Sequence, residues 1–200
     1  MGRLVLLAMG VAVVVLVLLR AFVISTYAVT SESMAPTISG GDRLIVLKTT
    51  TIERGDLIVF DAEHLLGEPA TAYVKRVIGV PGDRLGCCTE EGRLTLNGAP
   101  LDEPYVEGVS DQITFEVIVP DRRYWVLGDQ RAASADSRSA LGRPGGGMLR
   151  ADDVIGEVAW RYWPLERLGA LASAEDRSVS DMRDNPWVPA ALPDREESAP

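Results

Sequence analysis

The chain has 200 residues, a formal net charge of -9 at pH 7 and a hydrophobic share of 46%. That length allows one domain with a real core plus appendages, and an acidic chain with a pI near 4.7 makes a poor partner for nucleic acid. One histidine and two adjacent cysteines supply no ligand set for zinc or another transition metal, so no metal and no cofactor is expected.

Leu4 to Leu19 is apolar and uncharged. Continued through Arg20 to Ile24, it is long enough to cross a ~30 Å hydrocarbon core at ~1.5 Å per residue. Arg20 falls near the outer end, where its stem reaches towards the headgroups. Met1-Gly2-Arg3 would also suit a cleavable signal peptide. The apolar run is long for one, however, and Thr26-Tyr27-Ala28 is a mediocre cleavage site. An uncleaved transmembrane anchor over residues 1–25 is therefore expected. Arg3 and the amino terminus favour a cytoplasmic N-terminus, which puts everything after Ser25 outside the cytoplasm in a single-pass protein of the plasma membrane.

Residues 26–165 read as β. Arg43 to Lys48 and Leu57 to Phe60 are short runs of β-formers, each announced by a Gly-Asp turn at Gly41-Asp42 and Gly55-Asp56. Ala62 to Ala70 contains Gly67 and Pro69 and is expected to be a loop. Ala72 to Val80 is a longer strand stopped by Pro81-Gly82-Asp83. Arg93 to Leu96, Asn97-Gly98 and Ala99 to Leu101 predict a hairpin with a type I′ turn. Ile113 to Val119, Tyr124 to Leu127 and Val154 to Trp163 add strands, and Ser134 to Arg150 is loop-like. Many short strands with Gly/Pro punctuation predict a mostly β domain of closed or packed antiparallel sheets. Cys87 and Cys88 are neighbours, which rarely reach disulfide geometry, and are read as half-buried thiols. Arg167 to Ala174 is a candidate short helix. Residues 166–200 otherwise read as an acidic, Pro-containing disordered tail, in which Trp187 is a stray exposed aromatic.

The chemistry centres on Thr30-Ser31-Glu32-Ser33-Met34-Ala35-Pro36-Thr37. Pro36 biases Ala35 to extended geometry, so Ser33 is expected on a strand or turn just outside the membrane. A serine needs a base to act as a nucleophile. His64, in its loop, reads as solvated. Lys75 is the better candidate, because its strand is apolar on both faces and so belongs in the middle of a sheet. It shares a face with Tyr73 and Val77. Desolvation there lowers an amine's pKa, and a neutral amine accepts the serine proton. On the residues alone, a lysine reaching out from a strand edge remains an open alternative.

Five motifs then occur in order: Ser31-x-Ser33-Met34-x-Pro36-Thr37-Ile38, Gly41-Asp42, Arg54-Gly55-Asp56, Tyr73-x-Lys75-Arg76-Val77-x-Gly79-x-Pro81-Gly82-Asp83, and Gly128-Asp129 followed by Ser134-x-Asp136-Ser137-Arg138. Over residues 20–164 this resembles type I signal peptidase. The resemblance implies a Ser/Lys-dyad membrane serine endopeptidase that removes signal peptides from exported preproteins, and a mostly β fold shared with self-cleaving Ser/Lys repressors. It implies Ser33 as nucleophile and Lys75 as general base and later acid. The Ser33 backbone N–H and the Ser31 hydroxyl would form the oxyanion hole, in which each donor typically supplies ~3 kcal/mol. Ser134 would orient the lysine amine, Asp136 and Arg138 would form a structural ion pair, and Arg76 would serve structure. The last motif departs from the family's Gly-Asp-Asn-Arg-Asp-Asn-Ser, since this chain has Gln130, Ala132 and Ala133. The lost turn formers predict a looser loop.

The same resemblance implies that substrate binds extended, adding a strand beside the segment ending at Met34 and beside Ala70 to Lys75. Met34, Ala72 and Tyr73 are the implied substrate contacts, in pockets that admit small side chains such as those of Ala-x-Ala. Trp160, Tyr162 and Trp163 have two open readings, lipid interface or core. A monomer in contact with lipid and preproteins is expected. The competing reading is an inactive membrane-anchored β module that binds export or envelope partners.

Overall fold

The computed structural model describes residues 2–48, 51–106, 108, 110 and 113–171. Helix α1 spans Gly2–Phe22 and passes almost directly into β1, Ile24–Ala28. The strand thus begins inside the range expected for the anchor. Val23, Ile24 and Thr26 are β-branched and favour extended backbone, and Ile24 pairs with Leu47. Residues 4, 16, 18, 19 and 21 of α1 have side chains outside the described set. Counted on described residues, no helix is long and apolar enough to cross a membrane.

Among the described residues the sheets are antiparallel. The larger has eight strands in the order β1, β2 (Arg43–Leu47), β11 (Val154–Trp163), β3 (Leu57–Asp61), β4 (Ala72–Gly79), β9 (Arg123–Leu127) and β10 (Leu149–Arg150), with β12 (Gly169–Ala170) also on β11. The smaller runs β7 (Ala99–Pro100), β6 (Leu94–Leu96), β5 (Arg84–Cys87), β8 (Phe115–Ile118). The mostly β expectation agrees with this architecture.

One turn is used three times to enter strands. In Ser39–Asp42, Glu53–Asp56 and Val80–Asp83 the third residue is a glycine at φ +91, +93 and +91, as a type II turn requires. The fourth is an aspartate whose Oδ2 accepts the N–H of the first, at 3.0, 2.7 and 2.9 Å. All three aspartates are buried, so each Gly-Asp pair read from the sequence is a closed corner whose carboxylate binds its own backbone. Asn97 and Gly98 both have positive φ, the type I′ geometry that joins β6 to β7.

Some expectations are corrected. The Ala62–Ala70 loop contains a short helix, α2 (Glu63–Leu66), closed by Gly67 in the left-handed region, with Leu65 and Leu66 buried against Phe60 and Val126. The helix expected from Arg167 is absent as far as Leu171. A 3-10 turn at Leu165–Arg167 leads instead into β12, because Gly169 is a weak helix former and Leu171 is drawn into the core. This first part of the presumed tail is therefore built onto β11. Residues 172–200, with Trp187, lie outside the described residues. Cys87 and Cys88 form a disulfide rather than two thiols.

Three apolar clusters fill the interior. One, with Met34, Ile38, Leu44, Val46, Val59 and Leu171, underlies the Ser33 turn. A second packs α2 against β3, β4 and β9. The third, around Trp125, Leu85 and Phe115, joins the two sheets. Trp160 and Trp163 are exposed while Tyr162 is half-buried.

Candidate active site

The Ser33 turn closes through Ala35 N–H to Glu32 O at 3.0 Å and Ile38 N–H to Met34 O at 2.9 Å. Its apolar residues explain its place. Met34 and Ile38 are fully buried, and sinking them fixes Ser33 at the surface of the core. Met34 is therefore a core anchor of the turn. Ser33 itself is 8% exposed.

Lys75 lies on β4, paired with Ile58 of β3, and is 0% exposed. Its Nζ donates to Ser33 Oγ at 2.5 Å, and the Tyr73 ring centroid is 5.2 Å from the amine. Burial lowers the Lys75 pKa from 10.5 to about 8; Asp136 and Asp129 oppose the shift and Arg138 adds to it. Desolvation wins because the acids act at a distance and are themselves neutralised. The edge-lysine alternative is excluded by this burial.

Ser31 is exposed, and its hydroxyl lies 3.3 Å from Ser33 Oγ. Among the described residues, Ser134 Oγ is buried without a hydrogen-bond partner. It lies over Gly128, where a Cβ would overlap both the Ser134 hydroxyl and the Ser33 carbonyl oxygen. Glycine at 128 is what allows the Ser33 turn and the Ser134 segment to meet. Gln130 N–H donates to Ser33 O at 3.1 Å and completes that junction.

Around this centre lie two buried carboxylate–guanidinium pairs. Asp136 holds Arg138 through both oxygens, at 2.9 and 2.8 Å, and also accepts Gly128 N–H at 3.2 Å. Arg76, on the opposite face of β4 from Lys75, binds Asp129 bidentately at 2.9 and 2.6 Å. Asp129 also accepts the Thr37 hydroxyl at 2.6 Å, so Arg76 steadies the Ser33 turn through a shared carboxylate.

Three contributors, Arg131, Glu103 and Tyr105, were not found by sequence reasoning. Arg131 stands between the departures of the last motif, yet it is 2% exposed. Its Nε donates to Gly128 O at 3.0 Å, and its other nitrogens reach Glu103 at 2.9 and 2.6 Å and Ser110 Oγ at 2.5 Å. Glu103 thus ties down the loop that the missing Asp and Asn were expected to loosen. Tyr105 places its ring 3.9 Å from the Arg76 guanidinium carbon. The only available signal was the Glu103-Pro104-Tyr105 cluster itself. His64 contacts Asp153, Nδ1 to Oδ1 at 3.0 Å, and is half-exposed.

The substrate side is open. β9 pairs with β4 only from Arg76 to Gly79, whereas β3 pairs with it from Ala72 to Arg76. Among the described residues, the Ala72–Lys75 half therefore has one unpaired edge beside the dyad. Ala72 is exposed there, and Tyr73 is half-buried with its hydroxyl on Glu68 at 2.9 Å. Unpaired edge backbone next to a serine–amine pair suits an extended peptide.

A desolvated amine against a serine hydroxyl, on antiparallel sheets with an open edge, defines the class of serine peptidases that work with a lysine base. A family model described as signal peptidase, peptidase S26, matches residues 2–163. Signal peptidase IB of Staphylococcus aureus strain Mu50 is 34% identical over 181 residues, spanning 80% of this chain and 88% of its own. The probable signal peptidase I-2 of Synechocystis sp. is 32% identical over 190 residues, spanning 92% of this chain and 84% of its own. A crystal structure of a signal peptidase I from Enterococcus faecalis V583 covers 55% of this chain and 97% of its own at 27% identity and a TM-score of 0.43. The chain belongs to the signal peptidase family, peptidase S26.

Proposed function

We propose that this chain is a membrane-anchored serine endopeptidase that removes N-terminal signal peptides from exported preproteins after Ala-x-Ala endings. The observation that carries the reading is the Lys75 amine, buried and 2.5 Å from Ser33 Oγ. Ser33 Oγ attacks the scissile carbonyl carbon as its proton passes to Lys75 Nζ. The oxyanion is met by the Ser33 N–H and the Ser31 hydroxyl. Lys75 then protonates the leaving amine, which departs as the new N-terminus of the mature protein. Water, deprotonated by the same amine, attacks the ester on Ser33 and frees the signal peptide. Ser134 Oγ, an orphaned hydroxyl above Gly128, is assigned to orienting the amine during these transfers. Asp136–Arg138 and Arg76–Asp129 hold the two segments in register.

Anchoring belongs to the same reading. The 21 residues of α1 make a helix of ~31 Å at ~1.5 Å per residue, close to a ~30 Å hydrocarbon core, and the sequence through Leu19 has no charge after Arg3. The amino terminus is placed in the cytoplasm and the β domain outside it. The exposed Trp160 and Trp163 are assigned to the lipid interface. An inactive binding module would have no use for a desolvated amine on a serine, and that counts against it.

The test is processing of a preprotein by the full chain in lipid vesicles, with the product's N-terminus sequenced. Cleavage after Ala-x-Ala, lost when the last alanine becomes leucine, is the expected outcome. Cleavage elsewhere or indifference to that leucine would reject the substrate assignment.

A further inference from the structure

We propose that Arg167, just past the segment matched by the family model, is a positioning residue for catalysis, resting on the reading of Ser33 as nucleophile. Its guanidinium spans two targets. Nη1 lies 3.2 Å from Asp42 Oδ1, and Nη2 lies 3.2 Å from Pro36 O and 3.4 Å from Thr37 O. Arg161 of β11 joins the clamp, with Nη1 at 2.9 Å from Thr37 O and 3.2 Å from Asp42 Oδ2, and Nε at 2.6 Å from the Arg167 carbonyl. Asp42 is 1% exposed, so its charge is answered by these two cations rather than by water.

The clamp grips the far end of the turn that begins at Ser33. On the near side the turn is held by Gln130 N–H on Ser33 O and by Thr37 Oγ1 on Asp129. On the far side the carbonyls of Pro36 and Thr37 are met by Arg167 and Arg161. The segment carrying Arg167 is fixed in turn: β12 pairs with β11 through Trp160–Ala170 and Arg161–Gly169, Leu171 N–H donates to Ala159 O at 3.1 Å, and Leu171 packs in the same cluster as Met34 and Ile38. Residues 164–171 thus form a strap running from β11 to the nucleophile turn. A planar fork serves a carboxylate and two carbonyls from separate nitrogens in fixed directions, whereas an ammonium offers its donors from a single point. Without it, the turn can shift Ser33 Oγ relative to Lys75 Nζ, and reaction rates are steeply sensitive to such misplacement. Arg167 is about one-third exposed, so its removal leaves no stranded charge in the core other than Asp42, which keeps Arg161.

The experiment compares the full wild-type chain in detergent micelles with Arg167→Ala, Arg167→Lys and Ser33→Ala, measuring kcat and KM on a preprotein well below each variant's Tm. Arg167→Ala is expected to lose about tenfold in kcat with KM within about twofold of wild type, and Arg167→Lys to recover part of the loss. In combination with Asp42→Asn the kcat losses should be less than additive, since both act through one clamp. A strap that only braced the fold would lower Tm and leave kcat unchanged, and that result overturns the proposal. So does a loss carried wholly by KM. Should Arg167→Ala fail to fold, Arg167→Gln is judged by the same criteria. An inactive Ser33→Ala beside a fully active Arg167→Ala overturns the strap alone. A fully active Ser33→Ala overturns the nucleophile assignment and the strap together.

Discussion

Replacing Lys75 by methionine removes the buried amine while keeping most of the side chain's length, and so exposes what burying that amine costs the fold. In the folded chain the amine titrates at about 8, against 10.5 for the ordinary side chain, because β3, β4 and the Ser33 turn strip it of water. Between those two values the unfolded chain holds the proton and the folded chain does not. Wild-type stability therefore rises as pH climbs from about 8 to 10.5, and below about 8 the whole penalty is present. At ~1.4 kcal/mol per pKa unit the penalty at pH 7 is about 3 kcal/mol. The lost hydrogen bond to Ser33 returns about 1 kcal/mol. Lys75→Met should thus be inactive yet more stable than wild type by about 2 kcal/mol at pH 7, a rise in Tm of roughly 4–8 °C for a chain of this size. The assay is thermal unfolding of both proteins in the same micelles at pH 7 and at pH 10.5. The Tm advantage should shrink sharply at the higher pH. A variant less stable than wild type at pH 7, or an advantage independent of pH, would refute the desolvation argument.

Other consequences are as direct. The pH profile of kcat/KM should rise about tenfold per pH unit below a midpoint near 8 and level above it, as the free Lys75 loses its proton; a profile still climbing at pH 10 would mean an ordinary solvated amine. Gly128→Ala must push the Ser33 carbonyl and Ser134 apart and should cost about a hundredfold or more in kcat, and near-normal turnover would show that the junction is not needed. Glu103→Gln leaves the buried Arg131 without its carboxylate and should destabilise the chain by about 3 kcal/mol, read as a drop in Tm; no change would place the anchoring of the loop elsewhere. A protease added outside sealed cells should digest the β domain and spare the amino terminus, whereas protection of the β domain would reverse the proposed topology.

Strand existence was legible because the apolar runs are short and the Gly-Asp corners are chemically explicit. The value of Lys75 was legible for a related reason: a lysine in an apolar run such as Tyr73-Val74-Lys75-Arg76-Val77-Ile78 has nowhere wet to go on a central strand. What the strand pattern hid is pairing at a distance. Glu103 and Arg131 sit on different parts of the chain and meet because the smaller sheet folds over the loop after β9. Neither residue has a periodicity that announces the other. Residues 165–171 look like the start of a polar tail because only Leu165, Leu168 and Leu171 are strongly apolar. Their place is set by β12 hydrogen bonds and by Arg167 reaching backbone carbonyls, interactions to which side-chain hydropathy is blind. The Cys87–Cys88 pairing was missed because sequence distance alone argues against it. Ser134 is the reverse case: family resemblance implies a role for it, and among the described residues its hydroxyl stands next to the junction unpartnered.

The central claim is that Ser33 and Lys75 together cleave the preprotein, and the most direct measurement is turnover of one preprotein by wild type, Ser33→Ala and Lys75→Ala side by side in the same vesicles. The account predicts processing by wild type and none above background by either variant, with both variants folded and still binding the preprotein. Normal processing by Lys75→Ala would contradict it.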